Sequence, residues 1–314
     1  MIKNKKIFIT SINSSISKKL IFFVKKKFPN SIIYVLSNSK IKKKKNNNIF
    51  KVFKSKDYFS NIIKYKKIIN NCDFFFHLSY QNSELFAKNN VLEDFKINVL
   101  GLKNILEQIK NNKKLIFIFL STVSLYKSSK NKINEKSKIN ILSFYNLHKL
   151  YCENLIKFYS KFSKNRFIIL RLSNVYGDDD LSKRDFLLNC LIKVKKKIQV
   201  NIYGSGNYLR DFIHINDVAL ALIKIIETKI KDKINIYNLC SGTSISIKIL
   251  VRLITKEFKR LSSDYNPKIK YIKNFDELAK RNFLCNPIKF KKKFKWKPKI
   301  KLTKGIKELS LRIL

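Results

Sequence analysis

A chain of 314 residues with 45% apolar content and 25 phenylalanines can bury a substantial core and is too apolar to be disordered. Its formal charge of +47 comes from lysines spread along the whole length, beside few glycines and prolines; that is the imprint of an A/T-biased genome, and no RNA- or DNA-binding motif accompanies it. Five scattered cysteines without Cys-x-x-Cys spacing argue against a zinc site or disulfide framework and for a reducing cytoplasm, while no apolar run is long enough for a signal peptide or a membrane span.

Residues 6–10 (Lys-Ile-Phe-Ile-Thr) form the first predicted strand, and 16–28 an amphipathic helix stopped by Pro29. Strands are expected at 31–36 and 49–53, separated by a polar loop whose run Lys42 to Lys45 reads as solvated. A helix at 58–70, a nearly all-apolar strand at 73–78, a long helix at 91–110 and a strand at 114–120 running into Ser121-Thr122 follow. After a helix around Tyr145 comes a strand at 167–172. This alternation predicts an α/β, Rossmann-like doubly wound parallel sheet. Ligands bind such sheets at the carboxyl ends of strands, where Thr10, Leu78, Thr122 and residues 171–174 fall. Beyond Gly177, a helix at 186–195, a turn at 204–206, a helix running to 227, a strand at 235–239 and a helix at 245–258 predict a smaller C-terminal substrate lobe. The expected domains are 1–175 and 176–314, with 211–240 returning to the first.

Tyr145 and Lys149 stand four apart among helically spaced apolar residues, so they share a helix face. An ammonium beside a phenol favours the phenolate, which lets a tyrosine exchange a proton with a substrate hydroxyl near neutral pH. Ordinary readings stand beside this one. Lys149 can pair with Glu153 one turn on, at the surface. Tyr126 and Lys130 repeat the spacing in a loop. His77 and His214 lie among apolar residues as structural histidines, and His148 reads as exposed. No histidines have ligand spacing, so no metal is expected. Asp178, Asp179 and Asp180 read as a solvated loop, and Arg210 as either a partner of Asp211 or a directed arginine.

In order and spacing, several stretches resemble the extended short-chain dehydrogenase/reductases, in particular their NAD-dependent epimerase/dehydratase family. They are the strand-turn-helix through residues 10–17, His77-Leu78-Ser79, Asn98-Val-Leu-Gly101, Ser121-Thr-Val-Ser-Leu-Tyr126 and Tyr145-x-x-x-Lys149. The series continues with Leu170-Arg-Leu-Ser-Asn-Val-Tyr-Gly177, Tyr203-Gly-Ser-Gly206, the Arg210 to Asp217 segment, Tyr237-Asn238 and Trp296-Lys-Pro298. The resemblance implies a nucleotide-sugar epimerase of UDP-glucose 4-epimerase type, working through a transient 4-keto sugar with NAD, or NADP, as cofactor. It makes Tyr145 the acid/base, Lys149 its pKa-lowering neighbour and ribose ligand, and Thr122 a hydrogen-bond partner of the same hydroxyl. Ser11, Ser14, Ile16, Leu78, Ser79 and Asn98 would line the cofactor, with Tyr145 and Lys149. Asn174, Tyr203, Arg210 and Thr122 would bind the sugar nucleotide, Arg210 clamping its diphosphate. A homodimer through helices near 91–110 and 147–159 is implied as well.

The sequence departs from that family in three places. Three glycines of its opening turn are Ser11, Ser14 and Ser17 here, which places a Cβ where positive φ or close backbone approach is needed. Ser37-Asn38-Ser39-Lys40 stands where an acidic residue usually grips the adenosine ribose; Lys40 suits a 2′-phosphate. Val123 and Ser124 replace the Asp-Glu of the 4,6-dehydratases, which favours an epimerase or 4-ketoreductase. The departures also leave open a non-catalytic family member.

Overall fold

The computed structural model describes residues 4–37, 50–110, 115–177, 186–261, 268–273 and 280–313. The chain forms two compact units: residues 1–125, 141–171 and 219–237 make the first, and 126–140, 172–218 and 238–314 the second. Among the described residues no helix is long and apolar enough to cross a membrane.

The first unit is built on a seven-stranded sheet. Its strands are β1 (Lys6–Thr10), β2 (Ile32–Ser37), β3 (Phe50–Lys54), β4 (Phe74–His77), β5 (Ile116–Thr122), β6 (Arg166–Leu172) and β7 (Ile234–Leu239). They lie in the order β7-β6-β5-β4-β1-β2-β3, with β1, β2, β3, β4 and β5 paired in parallel. This is the doubly wound α/β sheet that the alternating pattern predicts, and the order reverses between β1 and β4. Phenylalanines fill one side of it, Phe8 stacking on Phe75 at 4.9 Å and Phe75 meeting Phe117 at 5.3 Å. Helix α1 (Ser15–Lys27) buries Ile16, Leu20 and Val24, a four-residue spacing that makes one stripe.

Two segments differ from expectation. The helix expected at 58–70 is broken into turns at Asp57–Phe59 and Ile62–Tyr65 and a short helix, Lys66–Asn70. Asn61 accounts for the break: its side chain accepts from the Lys56 N–H at 2.8 Å and donates to the Lys54 carbonyl at 3.0 Å, competing with helical hydrogen bonds. The helix expected at 91–110 is a short helix, Val91–Phe95, then a π-helical turn, Lys96–Leu100, then α2 (Gly101–Ile109). The catalytic-type helix α3 (Phe144–Phe162) starts at Ser143, whose hydroxyl accepts from the Asn146 N–H at 3.2 Å.

In the second unit, strand Leu209–His214 pairs in parallel with Asn174–Tyr176 and antiparallel with Ser244–Ser246. Helices Phe186–Lys195, Ile247–Leu261 and Leu302–Ile313 enclose a core that includes Leu191, Val194, Leu250, Ile254, Phe258 and Leu309. Gly177 adopts φ +101° beneath His214, where a Cβ would come within 2.4 Å of Nε2. The last helix carries its apolar residues between lysines, and the sequence pattern missed it.

Candidate functional site

In the first unit the site is assembled at the ends of β1, β4 and β5 and on one face of α3. Thr10 closes β1. Its hydroxyl oxygen accepts from the backbone N–H groups of Leu78 at 2.9 Å and Ser79 at 3.0 Å, so its own hydrogen goes to His77 Nδ1, 3.0 Å away. His77 is therefore the neutral Nε2–H tautomer. Burial, with the charge of Lys149 as a second cause, pushes its pKa down to about 3. This is the structural histidine expected, and it ties β1 to the turn after β4.

The serine turn keeps the shape of a glycine turn. Ser11 stands at φ +73°, donates its N–H to the Leu36 carbonyl at 2.7 Å and accepts from the Ser14 N–H on its hydroxyl at 3.2 Å. Ser14 is the N-cap of α1, with no side-chain capping bond and no acidic residue in the first helical turn. Ile16 is buried behind it, and Ser17 is fully buried with a hydroxyl that has no partner among the described residues. The turn is closed and the first turn of α1 carries no acidic residue, so these residues fit a pyrophosphate.

Asn98 lies in the π-helical turn. Its amide donates to the Gln81 carbonyl and to Asp94, both at 3.1 Å, and accepts from the Gln81 N–H at 3.0 Å. Asn98 thus anchors the chain just past Leu78 and Ser79. Asp94 in turn holds His148 Nδ1 at 2.6 Å. His148, read as exposed, is buried, because this carboxylate lies on the helix facing α3.

Tyr145 and Lys149 are both buried on the inner face of α3. The Tyr145 hydroxyl bonds to Thr122, at the end of β5. Thr122 Oγ1 accepts from the Ser124 N–H at 3.1 Å, and the Ser124 hydroxyl accepts from Asn146 at 2.7 Å. Burial holds the Tyr145 phenol well above its ordinary pKa, helped by Tyr80 and Glu84, with Thr122 opposing. That direction is opposite to the one the Tyr145/Lys149 spacing suggests. The Lys149 ammonium stands 6.0 Å from the Tyr145 ring centre and donates instead to the Leu120 carbonyl at 3.0 Å. It sits 3.7 Å from the centre of the Tyr80 ring. Burial brings its pKa down to about 8. Nor does Lys149 pair with Glu153. That carboxylate is fully buried, takes two bonds from Arg171 at 2.9 and 2.6 Å, and accepts from Ser121 at 2.6 Å.

The remaining candidates belong to the second unit. Asn174 is exposed and donates to the Asp211 carbonyl at 3.0 Å, and Tyr203 is about half exposed. Asp211 does not pair with Arg210; it accepts from Ser173 and from the 241–242 turn. The Arg210 guanidinium donates to the carbonyls of Leu209 and Arg281 and lies 5.3 Å from the Phe283 ring centre. Arg281 lies 5.1 Å from the same ring. Both guanidinium groups therefore lie close to one phenylalanine ring. Tyr80 and Arg281 escaped the sequence reading. Only eight of the 68 basic residues are arginines, and that scarcity is a signal that could have drawn attention to Arg281. Asn38, Ser39 and Lys40, the run from Lys42 to Lys45, and Asp178, Asp179 and Asp180 lie outside the described residues. Among the described residues no metal-holding cluster occurs.

A model of the NAD dependent epimerase/dehydratase family matches residues 35–240. A putative UDP-glucose 4-epimerase of Methanocaldococcus jannaschii is 30% identical over 237 residues, 73% of this chain and 74% of that protein. A UDP-glucose 4-epimerase of Thermotoga maritima, solved with UDP-glucose, superposes with a TM-score of 0.82 at 22% identity over 98% of both chains. MoeE5 in complex with UDP-glucose and NAD superposes at 0.84 with 17% identity, again over 98% of each chain. At these identities the two structures speak for the fold.

Proposed function

The chain belongs to the NAD-dependent epimerase/dehydratase family and is an enzyme, and on that premise we propose that it is an NAD-dependent nucleotide-sugar epimerase of UDP-glucose 4-epimerase type. The observation that carries the reading is the Tyr145 phenol, buried on α3 and hydrogen-bonded to Thr122 at the end of β5, one helical turn from a buried lysine. MoeE5, which binds UDP-glucose and NAD, supports both ligands.

NAD, when bound, supplies the oxidation and re-reduction of one sugar carbon, which passes through a 4-keto sugar. The residues of the chain do the rest. The 11–14 turn and the start of α1 hold the pyrophosphate, and the turn at Leu78 and Ser79, tied by Thr10 and Asn98, borders the same site. Tyr145 takes the proton of the sugar hydroxyl and gives it back. Thr122 donates to the phenolate, which lowers the cost of forming it, and the Lys149 ammonium adds its charge. Arg210, with Arg281, binds the diphosphate. Asn174 and Tyr203 contact the sugar nucleotide. No carboxylate stands at Val123 or Ser124, and the Ser124 hydroxyl is already held by Asn146, which disfavours 4,6-dehydration. None of the five cysteines is in a disulfide, as suits a reducing cytoplasm. A homodimer is part of the reading, since Leu92, Phe95, Leu147, Tyr151, Phe158 and Phe162 leave an apolar face exposed on the first unit.

The test is conversion of UDP-glucose to UDP-galactose by the purified protein supplied with NAD. Tyr145→Phe should cut kcat by about 100-fold or more, well beyond any change in NAD affinity. Reduction of a 4-keto sugar nucleotide without epimerisation would replace the epimerase reading with a ketoreductase.

A further inference from the structure

Four groups surround the Lys149 ammonium. Leu120 accepts one N–H at 3.0 Å, and the ring centres of Tyr80, Phe119 and Tyr145 lie at 3.7, 4.9 and 6.0 Å. With these in place Lys149 is 1% exposed. Leu120, Phe119 and Tyr145 are themselves buried, whereas Tyr80 reaches solvent. An ammonium has three donors, and here one faces a carbonyl and another the π-face of Tyr80.

The backbone on either side of Tyr80 is pinned. Thr10 holds the N–H groups of Leu78 and Ser79, and Asn98 holds both the N–H and the carbonyl of Gln81. The Tyr80 hydroxyl has no hydrogen-bond partner among the described residues. With the backbone fixed on both sides and the hydroxyl unbonded among the described residues, the freedom left to this half-buried ring is rotation about its side-chain bonds.

We propose that Tyr80 is a gate on Lys149: its ring covers the ammonium and must rotate aside before the amine can meet the ribose hydroxyls of a dinucleotide. The inference rests on the cofactor reading above, but its first half concerns Lys149 alone. Tyr80 is a gating residue and takes no part in proton transfer. Its phenol, which burial pushes up to about 12, stays protonated across the working range.

Two measurements test it. The rate at which acetic anhydride acetylates Lys149, read by peptide mass spectrometry, reports the cover without any cofactor. Calorimetry with NAD reports the gate. Tyr80→Ala should speed Lys149 acetylation about tenfold and tighten NAD binding by a similar factor, equivalent to about 1.4 kcal/mol of lost cation–π contact. Tyr80→Phe, which keeps the ring face, should match the parent in both. Should the alanine variant fail to fold, Tyr80→Val removes the π-face and most of the cover and should shift both readouts the same way. An unchanged acetylation rate in the folded variant overturns the gate. So does faster acetylation with NAD affinity unchanged or weaker. Faster acetylation with no NAD binding by any variant, the parent included, supports the cover and overturns the cofactor reading instead.

Discussion

Lys149 carries its ammonium in a site where burial has brought the pKa from 10.5 to about 8, and that shift has a thermodynamic consequence. Below pH 8 folded and unfolded chains both hold the proton, so the folded state bears the full cost of the buried charge. Between pH 8 and 10.5 the folded state sheds the proton first and the cost fades. Lys149→Met should therefore stabilise the protein at pH 7 by up to about 3 kcal/mol, the Tyr80 face offsetting part of the penalty, with a gain that shrinks toward pH 10. Thermal unfolding of both proteins at pH 7 and pH 10 checks this. A gain of equal size at both values would show that the lysine pays no charge penalty, and the low pKa would be wrong.

At the scale of elements, the strand-turn-helix through β1 and α1 shows how a glycine turn survives in serine. The backbone does what glycine does, at φ +73°, and the Ser11 hydroxyl returns part of the strain by accepting from Ser14. Two substitutions separate these effects. Ser11→Ala keeps the strain and loses the acceptor, so it should destabilise by about 1 kcal/mol. Ser11→Gly loses the acceptor but relieves strain of about 1 kcal/mol, so it should be nearly neutral. Urea unfolding of the pair gives the order, and an alanine variant as stable as the glycine variant would mean that the turn is not strained. Helix α3 shows the same division of labour on two faces. Tyr145, His148, Lys149, Cys152, Glu153 and Ile156 recur at three- and four-residue steps on its buried side, while Leu147, Tyr151, Phe158 and Phe162 stay exposed.

At the scale of the whole molecule, that exposed side matters most. Phe95 meets Tyr151 at 6.1 Å between ring centres, and Phe158 meets Phe162 at 5.1 Å, so exposed apolar residues of this face pair with one another rather than standing singly. A second copy of the chain is the partner proposed above. Sedimentation of the parent protein should give a dimer, and Leu147→Glu combined with Tyr151→Glu should give a folded monomer, since burying two unpaired carboxylates opposes association. A parent protein that is monomeric at micromolar concentration would remove the dimer. The charge of +47 belongs to this scale too, as a field that attracts polyanions at low salt without reading any sequence.

What the sequence alone determined is what repeats locally. Near-continuous apolar strands and helical stripes recur every few residues, so the strands of the central sheet and the helices at 15–27 and 144–162 were legible, whereas the 58–70 and 91–110 segments are broken and the helices at 84–89 and 302–313 were missed. So were the positions of Tyr145, Lys149, Thr122 and Arg210 in a family order. The tertiary structure decided which charges meet. Glu153 stands one turn from Lys149 yet goes to Arg171, His148 goes to Asp94, and Lys149 goes to Tyr80, sixty-nine residues away. Such pairings depend on which elements the sheet brings together and on how much water it expels, and neither quantity has a period along the chain.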